Sequence, residues 1–318
     1  MSRPVLVAGA TAHAPAAARP IRGRGPLWLA AQRLRRDRVA IAAAAVIVVL
    51  VLVAVAAPLI AHVVGHGPGT QYRDTGLTPA GLPVGPGRRF MLGTDSLGRD
   101  LLVRIVYGAR ISLLVGVVST LLAVCAGVVV GMTAGYRGGA VDTFLARFMD
   151  LVLSFPFLLF AVALVSIVGP SLTVSILVIA FFSWAAVGRI VRGQTLVIRE
   201  REYVEAARSL GSSDLRIMLV DVLPNLVAPV IVYTTLLIPT AIVFEATLSF
   251  LGLGVVPPTP TWGNMLADSL QFYQVAWWYV LFPGLALLAT TLAFNLLGDS
   301  VRDALDPGTE RLFAKGRQ

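Results

Sequence analysis

Six long apolar runs, each close to the thickness of a bilayer's hydrocarbon core, most constrain what this chain can fold into. A helix crosses that core with about 20 apolar residues. Inside lipid no water is at hand for a loose backbone, so every N–H and C=O of such a run must be satisfied within its own helix. The runs are 39–61, 111–134, 151–169, 171–188, 226–244 and 277–297. The first two carry no charged residue, and the third and fourth are separated only by Pro170, which predicts a tight hairpin. Pro229, Pro239 and Pro283 lie inside the last two. Proline kinks membrane helices but is tolerated there, because neighbours satisfy the freed carbonyl. Trp277, Trp278 and Tyr279 open the last run as an interfacial aromatic belt does. A soluble reading fails on surface chemistry: only 14% of residues are charged and mean hydropathy is +0.81, too little charge to cover a water-facing surface.

Net charge is +9, carried by 25 Arg and the single Lys315. These residues sit between the apolar runs, the positive-inside pattern of a membrane protein rather than a nucleic-acid patch. With the N terminus inside, the cytoplasmic segments hold 20 of the 26 basic residues, and the outer ones hold six, all between positions 62 and 110. The expectation is an all-α membrane protein of six transmembrane helices, N-in and C-in. Arg88, Arg89, Arg99, Arg104 and Arg110 then fall in an outer loop partly folded against the membrane. Residues 1–38 mix Ala, Pro, Gly and Arg without apolar periodicity and read as a disordered basic cytoplasmic tail. Ala54-Val55-Ala56 resembles a signal-peptide cleavage site, but the first run, at 23 residues, exceeds the ~7–15 of a signal core and is read as an uncleaved span. The one cysteine, Cys125, lies in an apolar run and has no intramolecular disulfide partner. His62 and His66 are spaced for a shared metal, but without a third ligand nearby they read as marking where the first helix leaves the membrane.

Residues 189–225 form the longest internal hydrophilic segment. Tyr203, Ala206, Ala207 and Leu210 fall at i, i+3, i+4 and i+7 and predict one apolar stripe on a helix, with Arg201 and Glu205 as an i, i+4 ion pair. Gly211 stands where a left-handed C-terminal cap is needed. Ser212, Ser213 or Asp214 then caps a second helix with Leu215, Met218, Leu219 and Val222 as its stripe, and Leu223-Pro224-Asn225 stops it at the membrane edge. Periodicity alone leaves two destinations for these stripes: the protein's own helix ends or the lipid interface, and a groove on another protein.

Glu205-Ala206-Ala207, three residues, Gly211, nine residues, Asp221, one residue and then Leu223-Pro224 resembles the EAA loop of binding-protein-dependent ABC importer permeases. Asp221 stands where that family usually has isoleucine. The run 92–100, Leu-Gly-Thr-Asp-Ser-Leu-Gly-Arg-Asp, is similar to the segment before the second span of dipeptide, oligopeptide and nickel permeases. So are Tyr136-Arg137-Gly138-Gly139 with Asp142, Arg147, Asp150 and Pro156 in the first inner loop, 248–254 and 257–263 in the last outer loop, and 295–307 at the C-terminal end. Together they cover about residues 30–307 and resemble the second, C-type permease of those systems. The resemblance implies a type I ABC importer permease fold in a bacterial inner membrane, importing dipeptides or oligopeptides, with nickel or glutathione as the alternative cargo. It implies a second permease chain, two ATP-binding-cassette subunits that hold ATP and Mg²⁺, and an extracytoplasmic substrate-binding protein. It also places ATPase docking on Tyr203, Glu205, Ala206, Ala207, Leu210, Gly211, Leu223 and Pro224, and divides the chain into a tail 1–38, a first span with outer loop 39–110, a five-helix core 111–300 containing the coupling loop, and a tail 301–318.

Glu245 lies 19 residues past Leu226, about 28 Å along a helix, near the outer interface. It reads as structural, with a place on the substrate route as the alternative. Asp150 at the inner end of the third run is paired with Arg147 on the same reasoning. Gly127 and Gly131 have the small-xxx-small spacing of close helix packing. The loop 254–276, with Asp268 as its only charge, reads as a packed outer turn. No phosphate-binding GxxxxGK[ST] run, HExxH or Ser-His-Asp set is present, so the chain is expected to be no enzyme and hydrolysis is expected to belong to partners. An ion-coupled carrier, the rival function, usually shows ionisable groups at mid-membrane, and these spans carry almost none.

Overall fold

The computed structural model describes residues 26–305. Over them the chain is helical, with two isolated antiparallel bridges, Leu77 to Pro83 and Thr94 to Asp100. In chain order the helices are α1 (Pro26–Leu34), α2 (Arg38–Val55), α3 (Ala57–Val64), the single turn α4 (Arg73–Gly76), α5 (Leu101–Arg137), α6 (Gly139–Ser154), α7 (Phe157–Val168), α8 (Leu172–Arg199), α9 (Glu202–Ser209), α10 (Asp214–Ile217), a π turn (Met218–Val222), α11 (Leu223–Phe250), α12 (Trp262–Ser269) and α13 (Trp277–Leu305).

Five helices are long and apolar enough to cross a membrane, and the bent pair α6–α7 makes a sixth when counted as one span. Each predicted run lies within or across one of these, but the edges differ. The first run is cut after Val55, because Pro58 lies in the first turn of α3 and cannot continue the helix before it. The second span starts at Leu101, where the Asp100 carboxylate accepts from the Val103 amide at 3.1 Å, so Arg104 and Arg110 are helical rather than loop residues. The third run is not one helix. Pro156 forces Phe155 into extended backbone, and α6 and α7 meet at 84°. Alone, α7 is about 18 Å long, too short to cross. The turn at Pro170 is as short as expected, with Gly169 at φ +91° and the Ser171 hydroxyl capping α8.

The spine of the fold is the α5–α8 pair, the most extensive helix contact in the chain. It closes on glycine. A Cβ on Gly127 would sit 2.7 Å from Val187 Cβ, one on Gly135 would sit 2.7 Å from Thr195 Cβ, and one on Gly131 would overlap the Gly188 carbonyl. The small-xxx-small pair is therefore packed inside this chain. Gly131→Val is expected to lower the melting temperature of the detergent-solubilised protein by the equivalent of about 1–3 kcal/mol of overpacking. Gly193, also on α8 but with open space where its Cβ would go, is the control: Gly193→Ala is expected to be neutral or slightly stabilising.

The expected disordered tail is corrected over its last third. Residues 26–34 form α1, which packs on α13, and Arg33 donates to the Ala304 carbonyl at 3.1 Å. Residues 1–25 of that tail, and the second tail beyond Leu305, lie outside the described residues. Both described ends thus meet at one end of the bundle, which the basic-residue count makes the cytoplasmic one.

At the opposite end, residues 65–100 fold over the tops of α5, α12 and α13. Asp95 is fully buried and accepts from Arg99 Nε at 2.6 Å, while Arg104 Nε lies 3.1 Å from the same carboxylate as an ion pair without a hydrogen bond; Arg104, 2% exposed, donates to the Pro68 carbonyl. His66 Nδ1 lies 2.6 Å from the Asp100 carboxylate, and Trp278 donates to the Thr94 carbonyl at 3.3 Å. Two of the six basic residues that ran against the positive-inside count are therefore internal and neutralised. On α12, burial pushes the Asp268 carboxyl up, with Arg104 and Arg99 pulling it back.

Candidate functional site

The hydrophilic segment between the fourth and fifth crossings is a hairpin at the cytoplasmic end. α8 runs on to Arg199, Glu200 closes it, and Arg201 turns extended (φ −80°, ψ 143°) to begin α9. The anticipated stripe is divided. Tyr203 is 45% exposed, Leu210 is 87% exposed and Ala206 faces the same open side, whereas Ala207 is half-buried. The inward anchor is Val204, 0% exposed, which packs with Ile217, Met218, Val222 and Leu226 against Met132, Tyr136 and Val187. Val204 was missed because it lies about 100° around the helix from Tyr203, outside the stripe that periodicity picks. A lone β-branched residue beside that stripe was the available signal.

Among the described residues Glu205 makes no ion pair, and the Arg201–Glu205 bridge is not formed. Arg201 is the extended residue before the helix, so the i, i+4 geometry of two helical residues does not apply. The cap at Gly211 is formed as its spacing requires. Gly211 has φ +81°, its amide donates to Arg208 O at 3.0 Å and the Ser212 amide donates to Ala207 O at 3.1 Å, the two bonds of a Schellman end.

The second arm differs from its expected form. Ser213 starts α10 without a side-chain cap, and Asp214 instead accepts from the Tyr136 hydroxyl at 3.1 Å. Ile217, Met218 and Val222 are its buried residues, while Leu215 and Leu219 face out. Leu223-Pro224 does not stop the helical path: α10 passes through the π turn into α11, whose first turn holds Pro224, after the Leu223 amide has bonded back five residues to Met218 O and broken the regular ladder. Leu223 packs inward with the Val204 cluster and Pro224 is exposed. At the atypical Asp221, the backbone carbonyl accepts from Asn225 Nδ2 at 2.7 Å.

Beside α9 lies an open cavity of about 1180 Å³ whose wall includes Gln194, Tyr203, Asn225 and Tyr233, with Arg201 and Arg302 among its charged residues. Glu245 is not among its lining. It is 0% exposed between α5 and α11, accepting from Ser112 at 2.8 Å and Ser249 at 2.7 Å, so the structure brings it to a helix contact and not to the hairpin. The nearer partner of Asp150 is Arg189 at 2.7 Å, with Arg147 at 4.0 Å. Arg192 grips Asp142 with both ends of its fork, joining α6 to α8. The described residues thus leave a small apolar patch, with the Glu205 carboxylate beside it, exposed on the hairpin.

Comparison with known proteins agrees in kind. Residues 127–311 match the family described as binding-protein-dependent transport system inner membrane component. Residues 25–79 match the N-terminal TM domain of oligopeptide transport permease C. The di/tripeptide transport system permease protein DppC of Pseudomonas aeruginosa is 46% identical over 245 residues, 77% of this chain and 81% of that protein. The dipeptide transport system permease protein DppC of Escherichia coli K12 is 45% identical over 242 residues, 76% and 81%. A glutathione transport system permease protein GsiD from Pectobacterium atrosepticum is 43% identical over 226 residues, 71% and 75%. Among solved structures, an inward-facing form of the MetNI methionine ABC transporter superposes with a TM-score of 0.54 at 17% identity, covering 64% of this chain and 96% of that one, which is a likeness of fold.

Proposed function

The chain belongs to the family of binding-protein-dependent transport system inner membrane components, and from that premise we propose that it is the C-type permease of a peptide importer, paired with a second, different permease. It is a multi-pass inner-membrane component. In this reading two ATPase subunits bind ATP and Mg²⁺, close on nucleotide and carry the hairpin with them. The paired permeases then pass from inward-open to outward-open, and a binding protein delivers the peptide. Transport is a two-state equilibrium biased by the nucleotide state of a partner. Tyr203, Glu205, Ala206, Ala207, Leu210 and Gly211 form the docking surface; Leu223 and Pro224 set the hairpin's exit into α11.

The observation that carries this reading is the outward face at the end of α9, where among the described residues Leu210 is 87% and Tyr203 45% exposed. Leu210→Glu is expected to remove the ATPase subunits from the complex purified through a tag on this chain, by at least about tenfold, since it places a charge at the centre of an apolar contact. The permease is expected to remain in the membrane fraction. ATPase recovered at wild-type yield would count against docking there. The DppC relatives support di- and tripeptides as cargo, and the GsiD relative keeps glutathione in the same class. Uptake of labelled alanylalanine against labelled glutathione separates the two.

A further inference from the structure

The hairpin joins α8 and α11 covalently, and side chains also tie both of its arms to α5. Tyr136, in the last turn of α5, touches both arms at once. Its hydroxyl bonds the Asp214 carboxylate of α10 at 3.1 Å, and the Arg208 guanidinium of α9 lies over its ring at 5.8 Å. Beneath this polar latch, Val204 and Ile217, one from each arm and both fully buried, share an apolar cluster with Met132 and Tyr136. Arg199 at the end of α8 adds a bond to the Gly135 carbonyl at 3.0 Å, next to the latch. Above it the contact is not packed shut: a polar cavity of about 330 Å³ lies between Tyr136, Arg199, Arg208 and Asp214. The latch is thus a pair of directed polar contacts over an apolar pivot.

The helices that leave the hairpin differ as transmitters. α11 begins at a π turn and carries Pro229 and Pro239, each a point of bending. α5 has no proline, is 37 residues or about 55 Å long, and is keyed to α8 along Gly127, Gly131 and Gly135. Its far end is capped by Asp100, which also holds His66 of the outer segment.

We propose that Tyr136 is a positioning residue for coupling: it fixes both arms of the hairpin to α5, so that movement imposed on α9 is delivered to the α5–α8 beam, and through it to the outer segment. The inference rests on the docking reading above. Tyr136 lies apart from the docking face and keeps the hairpin's motion in step with the beam.

The test is transport per ATP hydrolysed, measured with labelled alanylalanine in proteoliposomes of the whole complex purified through this chain. Tyr136→Phe removes only the hydroxyl and is expected to lower that ratio by at least about tenfold, the scale of one hydrogen bond to a charged group, while the ATPase subunits copurify as before. Asp214→Ala is expected to match it, and Asp214→Asn, which keeps an acceptor, to stay near wild type. The double variant Tyr136→Phe with Asp214→Ala is expected to be no worse than either single one, because both remove one bond. A wild-type ratio in Tyr136→Phe, additive losses in the double variant, or loss of ATPase copurification in place of uncoupling would each overturn the proposal. The two readings separate cleanly. Leu210→Glu that keeps its ATPase sinks the docking reading; Leu210→Glu that loses it, beside a fully coupled Tyr136→Phe, sinks only this one.

Discussion

Gly211→Val is expected to nearly abolish peptide uptake while leaving insertion intact. Among the described residues nothing outside its chain neighbours lies within 4 Å of where a Cβ would stand, so the change is not a matter of collision. The penalty is conformational: at φ +81° an L-residue costs about 1–2 kcal/mol, and β-branching adds to it. That shifts the equilibrium between turned and unturned hairpin by roughly five- to thirtyfold or more, and it puts at risk the two Schellman bonds from Gly211 and Ser212 that set the angle between the arms. Asparagine tolerates the left-handed region, so Gly211→Asn is expected to retain intermediate uptake. Labelled-dipeptide uptake in membrane vesicles, normalised to inserted permease, reads the series. Equal uptake for glycine, asparagine and valine would remove the turn from the mechanism.

Asp95→Ala is expected to be the most destabilising single change at the outer face. It leaves Arg99 and Arg104, both nearly buried, without the carboxylate they share. Breaking a buried charge pair from one side costs about 3–5 kcal/mol, because the surviving charge stays desolvated. The outer segment should open, exposing the buried Arg99 to trypsin added from outside and lowering the amount of folded protein in detergent. Arg104→Leu, which leaves the Arg99–Asp95 pair in place, is expected to be milder. Resistance of Asp95→Ala to trypsin at the wild-type level would mean the network does not hold the segment down.

How much of this was legible beforehand varied with the range of the interactions. The Gly211 cap was read correctly from a few neighbouring residues, because a left-handed turn is decided by which side chain stands at one position. The EAA spacing led to the right family for the same reason. The stripe on α9 was found, but its inner and outer sides were not told apart, since Val204 and Tyr203 are both good tenants of an amphipathic helix and only the helices beneath choose between them. Leu223-Pro224 was read as a stop because proline usually ends a helix; here it begins one, and only the π turn before it makes that geometry available.

Chemistry carried by the chain locally was read from sequence alone: that the protein lives in a membrane and where the hairpin turns. Apolar length and one glycine suffice for those, because each compares a segment with its solvent or with its own backbone. What required the tertiary structure was every partnership between distant residues: Asp95 with Arg104, Tyr136 with Asp214, Gly131 with Gly188, and the 84° bend at Pro156 that the helices around it accommodate. Such pairs have no period and no fixed spacing, and they exist only once packing has brought them together.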